Sequence, residues 1–174
     1  IPQAKSPIKR IHLRPVNCKP SDEAIDAIRK ADAVIMGPGS LYTSIMPNLL
    51  VARIYQEVSA SKAVKIYICN IMTQKGETGG YKASDHLKAI VEHTAPGVVE
   101  YCIVNTAKIP DEMLKKYEGE ESYPVAPDSE NLKRMKCKVV EAHIVSTIDY
   151  VRHDPVKLAK IIIDLVMSLK KSKG

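Results

Sequence analysis

The feature that most constrains the fold is an alternation of short β-branched runs with amphipathic segments along the chain. Such an alternation is typical of repeated strand and helix units, and it predicts an α/β domain with a mainly parallel sheet covered on both faces. The predicted strands are Ile8 to Arg14, Ala33 to Met36, Val64 to Cys69, Val98 to Val104 and Lys138 to Ile144. The predicted helices are Asp22 to Lys30, Asn48 to Ser59, Ser84 to Thr94, Asp111 to Tyr117 and Asp154 to Leu169.

The length of 174 residues fits one domain, and no linker or low-complexity tract divides it. We therefore expect a single α/β domain over residues 1–174. Its core is expected to be mostly aliphatic, because the chain has no Trp and no Phe and draws its aromatic surface from eight Tyr. The polar stretch 118–131 has no hydrophobic period and is predicted to be a surface loop.

Composition and charge argue against several classes of function. The most apolar stretch, Ile161 to Met167, is too short to span a bilayer, and no secretory signal opens the sequence, so we predict a cytoplasmic protein without a membrane partner. The four cysteines include no CxxC pair, which indicates reduced core thiols and no metal site. The net charge of +6 is spread along the chain without a recognisable nucleic-acid module, so we predict no nucleic-acid partner.

The first candidate ligand site is the turn that follows the predicted strand ending at Met36. Its two glycines allow the backbone to approach a ligand closely, and the N–H groups of Gly39, Ser40 and Leu41 can converge on a phosphate where a helix begins. Pro38 has no N–H to offer. The candidate ligand-binding residues of this segment are Gly37, Pro38, Gly39, Ser40, Leu41, Thr43 and Ser44.

The segment after this turn contains Pro47, which would clash with the carbonyl of Thr43 in a continuous helix. We therefore expect one short helical turn, a break, and a second helix that starts near Pro47. The turn matches neither a Walker P-loop nor a GxGxxG motif. A plain strand-to-helix turn with a serine cap is therefore left open as the alternative.

A second polar loop, residues 70–81, follows the predicted strand ending at Cys69 and is longer than a simple connection needs. Its side chains carry donors and acceptors that can read a base or a sugar, and its glycines permit tight turns. The candidate ligand-binding residues are Asn70, Thr73, Gln74, Glu77 and Thr78. The alternative is a long solvated loop without a ligand.

Asp85 and His86 lie on the first turn of the helix predicted after this loop, with Ser84 as its N-cap. The helix dipole stabilises an acidic residue in the first turn, so a structural role is enough to explain an aspartate at position 85. An acid–base role of the Asp85-His86 pair is left open, although adjacent helical residues do not face each other.

Two further segments are expected near the same edge of the sheet. Asn105 and Thr106 follow a buried strand, as the first two candidate sites do, and Arg152 precedes the final helix. Arg152 could clamp a diphosphate with two parallel hydrogen bonds, and a plain surface Arg is the alternative. In open α/β sheets ligands bind outside the carboxyl ends of the strands, so we expect these polar segments to share one crevice.

Several long motifs of this chain are similar to those of one known family. They are the segments 31–50 and 69–78, Tyr81, Asp85-His86 and the segment 152–155. On these motifs the chain strongly resembles the YvcK family of bacterial gluconeogenesis factors, which is related to the 2-phospho-lactate transferases of coenzyme F420 synthesis. The resemblance implies a Rossmann-like three-layer fold. It also implies a regulator that binds UDP-sugars such as UDP-N-acetylglucosamine and affects carbon metabolism, cell shape and cell-wall synthesis, without a cofactor. A homo-oligomer and a regulatory protein partner are left open.

By this resemblance the turn 37–44 and the loop 70–78 line a nucleotide cleft, to which Tyr81 and Asp85 also belong. Tyr117 and Arg152 resemble the family's pair of residues that contact the nucleotide sugar. One departure is Lys75, which stands where a proline is expected and loosens that loop or adds a phosphate contact. The other is the absence of the family's N-terminal half with its Gly-rich phosphate loop, so we expect a C-terminal portion of a longer protein.

The main alternative is a phospho-lactyl transferase of the coenzyme F420 type. That branch carries Pro-Ser-Asn-Pro where this chain has Gly37-Pro38-Gly39-Ser40, which counts against shared chemistry. A dinucleotide-binding oxidoreductase is a third interpretation, but its glycine-rich fingerprint is missing. We therefore expect a ligand-binding regulator rather than an enzyme, and we assign no catalytic residue.

Overall fold

The computed structural model describes residues 8–146 and 148–172, and its centre is a four-stranded sheet. The strands are β1 (Ala33–Met36), β2 (Val64–Ile68), β3 (Tyr101–Asn105) and β4 (Lys138–Ala142). They lie in the order β1-β2-β3-β4, and each neighbouring pair is parallel. In this register Ile35 lies opposite Ile66, and Ile66 lies opposite Tyr101. The carboxyl ends of the four strands therefore meet at one edge of the sheet.

Most of the helices cover one face of this sheet. The helices are α1 (Asp22–Lys30), α2 (Met46–Leu50), α3 (Ile54–Ala60), α4 (Ala83–His93), α5 (Asp111–Lys115), α6 (Ser129–Arg134) and α7 (Pro155–Lys171). Each strand pairs with the next one along the chain, so right-handed crossovers place the connecting helices on the same side. The larger core cluster lies there, where Tyr67 and Cys102 of the sheet share a buried cluster with Leu49, Leu87 and Leu132.

The opposite face is covered by α7. Ile66, Ile68 and Ile103 form a second buried cluster with Leu158 of this helix. Asp154 is the N-cap of α7, and its carboxylate accepts hydrogen bonds from the N–H groups of Val156 and Lys157. The arrangement has three layers, and the predicted Rossmann-like α/β fold is confirmed.

The first predicted strand, Ile8 to Arg14, is wrong. Residues 8–14 form no strand, and the N–H of Ile11 instead donates to Nε2 of His93 at 3.2 Å. Ile8 and Ile11 pack against the helical side of the core. The β-branched pattern of this segment therefore reflects packing on α4 rather than pairing in the sheet.

The predicted helix Asn48 to Ser59 is two helices, α2 and α3, which are separated at Arg53 by a left-handed backbone with φ of 71°. The short helical turn and the second helix expected near Pro47 are confirmed as a π-helical turn, Leu41–Ile45, and α2. The break expected between them is wrong, because the turn runs directly into α2. The carbonyl of Ser40 accepts from the N–H groups of both Ser44 and Ile45. Pro47 is the second residue of α2 and directly follows this π-helical turn.

Cys69 and Cys102 are buried in the sheet region, as expected of core thiols, and all four cysteines are free. Among the helices of residues 8–146 and 148–172, none has both the length and the apolar character that crossing a membrane requires.

Candidate functional site

A cavity of about 930 Å³ opens at the carboxyl ends of β1 and β2. Four stretches of the chain form its wall: the turn after β1, the loop after β2, the segment around Tyr117, and a short hairpin before α7. The lining residues are Pro38, Gly39, Ser40, Asn70, Ile71, Met72, Thr73, Gln74, Lys75, Tyr117, Glu120, Ser122, Val151, Arg152 and His153. The first two candidate segments therefore share one crevice.

Direct hydrogen bonds join the turn after β1 to the loop after β2. Nδ2 of Asn70 donates to the carbonyl of Gly39 at 3.1 Å, and Nε2 of Gln74 donates to Oγ of Ser40 at 2.8 Å. The side chain of Ser40 makes no capping bond to the helix that follows, so the simple serine-cap interpretation of this turn is wrong. Oε1 of Gln74 is buried and has no hydrogen-bond partner among the described residues.

Packing requires glycine at two positions of the turn. Gly37 has φ of 99°, and a Cβ placed there would lie 3.2 Å from the carbonyl oxygen of Ile68. A Cβ on Gly39 would lie 3.1 Å from Cβ of Ser44. The missing Cβ at Gly37 therefore lets the turn lie close to the end of β2, and the missing Cβ at Gly39 lets it lie close to Ser44.

The segment 118–128, here named the covering segment, lies along the loop 71–75. The N–H of Thr73 donates to the carbonyl of Tyr123 at 2.7 Å, and the N–H of Tyr123 donates back to Oγ1 of Thr73 at 2.9 Å. The N–H of Val125 donates to the carbonyl of Ile71 at 2.8 Å. The predicted surface loop over 118–131 is largely confirmed up to position 128, where most of the described side chains are exposed. It also forms part of the cavity wall, and it ends earlier than predicted because α6 starts at Ser129.

The hairpin before α7 consists of β5 (Val145–Ser146) and the antiparallel β6 (Arg152–His153). The residues on either side of Arg152, which are Val151 and His153, form hydrogen bonds to other elements. The N–H of Val151 donates to the hydroxyl oxygen of Tyr117 at 2.8 Å, and Nε2 of His153 lies 3.0 Å from the carbonyl oxygen of Cys69. Burial lowers the pKa of His153, so the neutral ring is favoured and its Nε2–H donates to that carbonyl. The guanidinium of Arg152 lies over the ring of Tyr150, 5.2 Å from its centroid.

Residues 1–145 match the protein family described as 2-phospho-L-lactate transferase CofD. The chain belongs to the CofD family. The gluconeogenesis factor of Bacillus subtilis (strain 168) is 48% identical to it over 167 residues, which cover 95% of this chain and 53% of that protein. The gluconeogenesis factor of Halalkalibacterium halodurans is 44% identical over 165 residues, which cover 94% of this chain and 51% of that protein. The predicted resemblance to gluconeogenesis factors is confirmed.

A solved structure has the same architecture as this CofD-family chain. A crystal structure of a UPF0052-family protein from Bacillus halodurans, determined at 2.60 Å resolution, is 45% identical with a TM-score of 0.92. The match covers 94% of this chain and 53% of that chain. The chain spans about half the length of the curated relatives it matches.

The cavity of about 930 Å³ brings together about half of the residues predicted as ligand contacts. The predicted residues that line it are Pro38, Gly39, Ser40, Asn70, Thr73, Gln74, Tyr117 and Arg152. Lys75, singled out as a departure from the family pattern, also lines it and forms an exposed ion pair with Glu121 at 2.8 Å. The sequence pattern gave no reason to select Glu120 or Ser122, and His153 lies in the motif 152–155 but was not selected as a ligand contact.

Six of the residues predicted as ligand contacts do not line this cavity, although they lie in the turn after β1 or in the loop after β2. Leu41 is fully buried in the core, and Gly37 and Ser44 border a different groove beside β1. Thr78 is buried, and its Oγ1 accepts from the N–H of Gln74 at 3.0 Å. Thr43 is exposed, whereas Glu77 is half-buried and its Oε2 has no hydrogen-bond partner within the part of the chain that the structure describes.

Tyr81 and Asp85 lie away from the main cavity, on a separate one of about 240 Å³. The hydroxyl of Tyr81 is 2.8 Å from the hydroxyl of Tyr42. The Asp85 carboxylate accepts from the N–H of Lys82, and Lys82, not Ser84, is the N-cap of α4. His86 is fully buried with its Nδ1 2.9 Å from the carbonyl of Lys82, so it faces neither cavity as an acid or a base.

The third predicted polar segment does not reach the cavity. Nδ2 of Asn105 donates to the carbonyl of Ala107 at 3.0 Å, and its Oδ1 accepts from the N–H of Ile144 at 3.2 Å. The side chain of Asn105 therefore links the loops that follow β3 and β4. The prediction that it lies in the shared crevice is wrong.

Proposed function

We propose that this chain is a nucleotide-sugar-binding module of a regulatory protein in carbon metabolism, with UDP-N-acetylglucosamine or a similar UDP-sugar as its ligand. The observation that carries the proposal is the cavity itself, in which the start of a helical turn at Ser40 and the guanidinium-bearing Arg152 share one wall. As the family resemblance implies, the regulator would act on carbon metabolism, cell shape and cell-wall synthesis. It would do so through a protein partner and without a cofactor.

The turn after β1 suits the diphosphate. The N–H group of Ser40, which lines the cavity, precedes the first helical hydrogen bond, which Ser44 donates to the carbonyl of Ser40, whereas Leu41 is fully buried and cannot reach a ligand. N–H groups at such a position attract a phosphate, because they have no intrahelical acceptor and lie at the positive end of the helix dipole. Arg152 adds a delocalised cation whose planar fork can hold two phosphate oxygens at once.

The loop after β2 suits the sugar or the base. Gln74 lines the cavity and its Nε2 donates to Oγ of Ser40, while its Oε1 is buried without a partner within residues 8–146 and 148–172. Asn70 adds an amide at the same wall, although its Nδ2 already donates to Gly39. Thr73 is committed to the covering segment through its Oγ1 and serves the wall rather than the ligand.

The proposal is tested by calorimetric titration of UDP-N-acetylglucosamine into this chain and, in parallel, into the Bacillus subtilis relative. We expect saturable binding, and Arg152→Gln should weaken it by roughly tenfold to a hundredfold, because a hydrogen bond to a charged group contributes about 1.5–3 kcal/mol. Arg134→Gln is the matched control, since it removes the same charge from an exposed position on α6. The absence of saturable binding in both proteins would refute the proposal.

Phospho-lactyl transfer is a second candidate, favoured by the description of the family that residues 1–145 match. The test is incubation with the coenzyme F420 precursor and an activated lactyl donor. Product formation that depends on the cavity residues would favour this transferase over the regulator. Binding of UDP-N-acetylglucosamine without such a product would favour the regulator.

A further inference from the structure

The strand that carries Arg152, β6, has two residues, and so short a strand is not stable without contacts to the rest of the domain. Among the described residues, which omit position 147 next to β5, the β5–β6 ladder pairs Val145 with His153 and Ser146 with Arg152. An isolated two-stranded ribbon is marginally stable even when it is longer. The place of Arg152 in the cavity must therefore be set by contacts that the hairpin makes with the rest of the domain.

Two such contacts flank Arg152 directly. On one side, the hydroxyl oxygen of Tyr117 accepts the N–H of Val151 at 2.8 Å. On the other side, His153 donates from Nε2 to the carbonyl of Cys69 at 3.0 Å. These bonds link sequence positions 34 and 84 residues apart, so they tie the hairpin to two separate elements.

Both anchoring groups are themselves fixed. The ring of Tyr117 packs against a small buried cluster that includes Ile71, Met113 and Val151. Cys69 is buried and immediately precedes Asn70, the first cavity residue of the loop after β2. The two bonds therefore set Arg152 relative to the same loop that holds Asn70 and Gln74.

We propose that Tyr117 and His153 are positioning residues, which fix the chain on either side of Arg152. The guanidinium of Arg152, which lies over the ring of Tyr150, is thereby kept close to the place where it meets the phosphates of the ligand. This inference rests on the proposed nucleotide-sugar function. The hydroxyl of Tyr117 then acts through the backbone of Val151, while its ring lines the cavity and remains free to contact the ligand. Arg152 is exposed, and without the anchors it would lose more conformational freedom when a ligand binds.

The first test needs no ligand. Hydrogen exchange of the Val151 amide is measured in the unliganded wild type, in Tyr117→Phe, and in Tyr101→Phe, a control that removes a hydroxyl bonded to Lys138 far from the cavity. We expect exchange at Val151 to accelerate by about two- to tenfold in Tyr117→Phe alone, because one ordinary hydrogen bond is lost. Equal exchange in the three proteins would overturn the inference, whatever the protein binds.

The second test asks whether the anchor acts through Arg152. Tyr117→Phe should weaken UDP-N-acetylglucosamine about two- to tenfold in the wild type but leave affinity unchanged in an Arg152→Gln background, titrated at millimolar ligand. The same loss in both backgrounds would mean that the hydroxyl of Tyr117 contacts the ligand directly, and would overturn its positioning role.

His153 provides an independent arm of this test. His153→Leu should weaken binding, whereas His153→Gln should restore it, since the Gln amide can donate from nearly the same position as Nε2. Failure of Gln to exceed Leu would overturn the role of His153. If the wild type itself does not bind, the proposed function fails, and the anchors are still judged by the exchange of Val151.

Discussion

Replacing Gly37 by alanine tests whether the turn after β1 has the tight geometry described above. At φ of 99° an alanine is strained, and its Cβ would also lie 3.2 Å from the carbonyl oxygen of Ile68 and 3.3 Å from Cδ1 of Ile45. The strain alone costs about 1–2 kcal/mol, and relief of the contacts adds up to about 1 kcal/mol. We therefore expect the unfolding free energy to fall by about 2–3 kcal/mol.

Two other glycines separate the two contributions. Gly97 has φ of 84° but no atom within 4 Å of an added Cβ, so Gly97→Ala carries the strain without the contacts. Gly79 has neither feature, and Gly79→Ala should be close to neutral. Urea unfolding of the three variants should rank Gly37→Ala as the most damaging and Gly79→Ala as the least. Equal losses at Gly37 and Gly97 would refute the close approach to β2.

Two more predictions concern the cavity wall and pH. Thr73→Val removes the acceptor for the N–H of Tyr123, so we expect a loss of about 1 kcal/mol and faster proteolysis within residues 118–128. Unchanged cleavage would contradict the role of this bond. Burial lowers the pKa of His86 and of His153 below the ordinary value of 6.5. The unfolded chain then binds more protons just below pH 6.5, so stability is full above that pH and falls as the pH decreases through the lower folded pKa values. Urea midpoints between about pH 7.5 and 5 that stay level would contradict this.

Local signals predicted the elements that are built locally. The helix Asp22–Lys30 has the predicted bounds, because Ser21 caps it and its apolar residues recur on one face. The strand Ala33–Met36 was also predicted with its observed bounds, since a short apolar run ends at a glycine turn. The place of the first two polar loops at one edge followed from the parallel sheet alone.

Non-local contacts account for what the sequence could not predict. The covering segment shows no periodicity, because its order comes from bonds to Thr73 and Ile71, about fifty positions earlier in the chain. The sequence around Tyr81 and Asp85 gave no indication that both residues line a separate cavity. The bond between Tyr117 and Val151 likewise depends on folding, since no pattern links these two positions.

The most direct measurement of the central claim is a titration of the isotope-labelled chain with UDP-N-acetylglucosamine, followed through the amide resonances in nuclear magnetic resonance spectra. We predict that Gly39, Ser40, Gln74 and Arg152 shift together and saturate at one ligand concentration, since they line one cavity. Shifts confined to the separate cavity at Tyr81 and Asp85, with the resonances of Ser40 and Arg152 unchanged, would contradict the account.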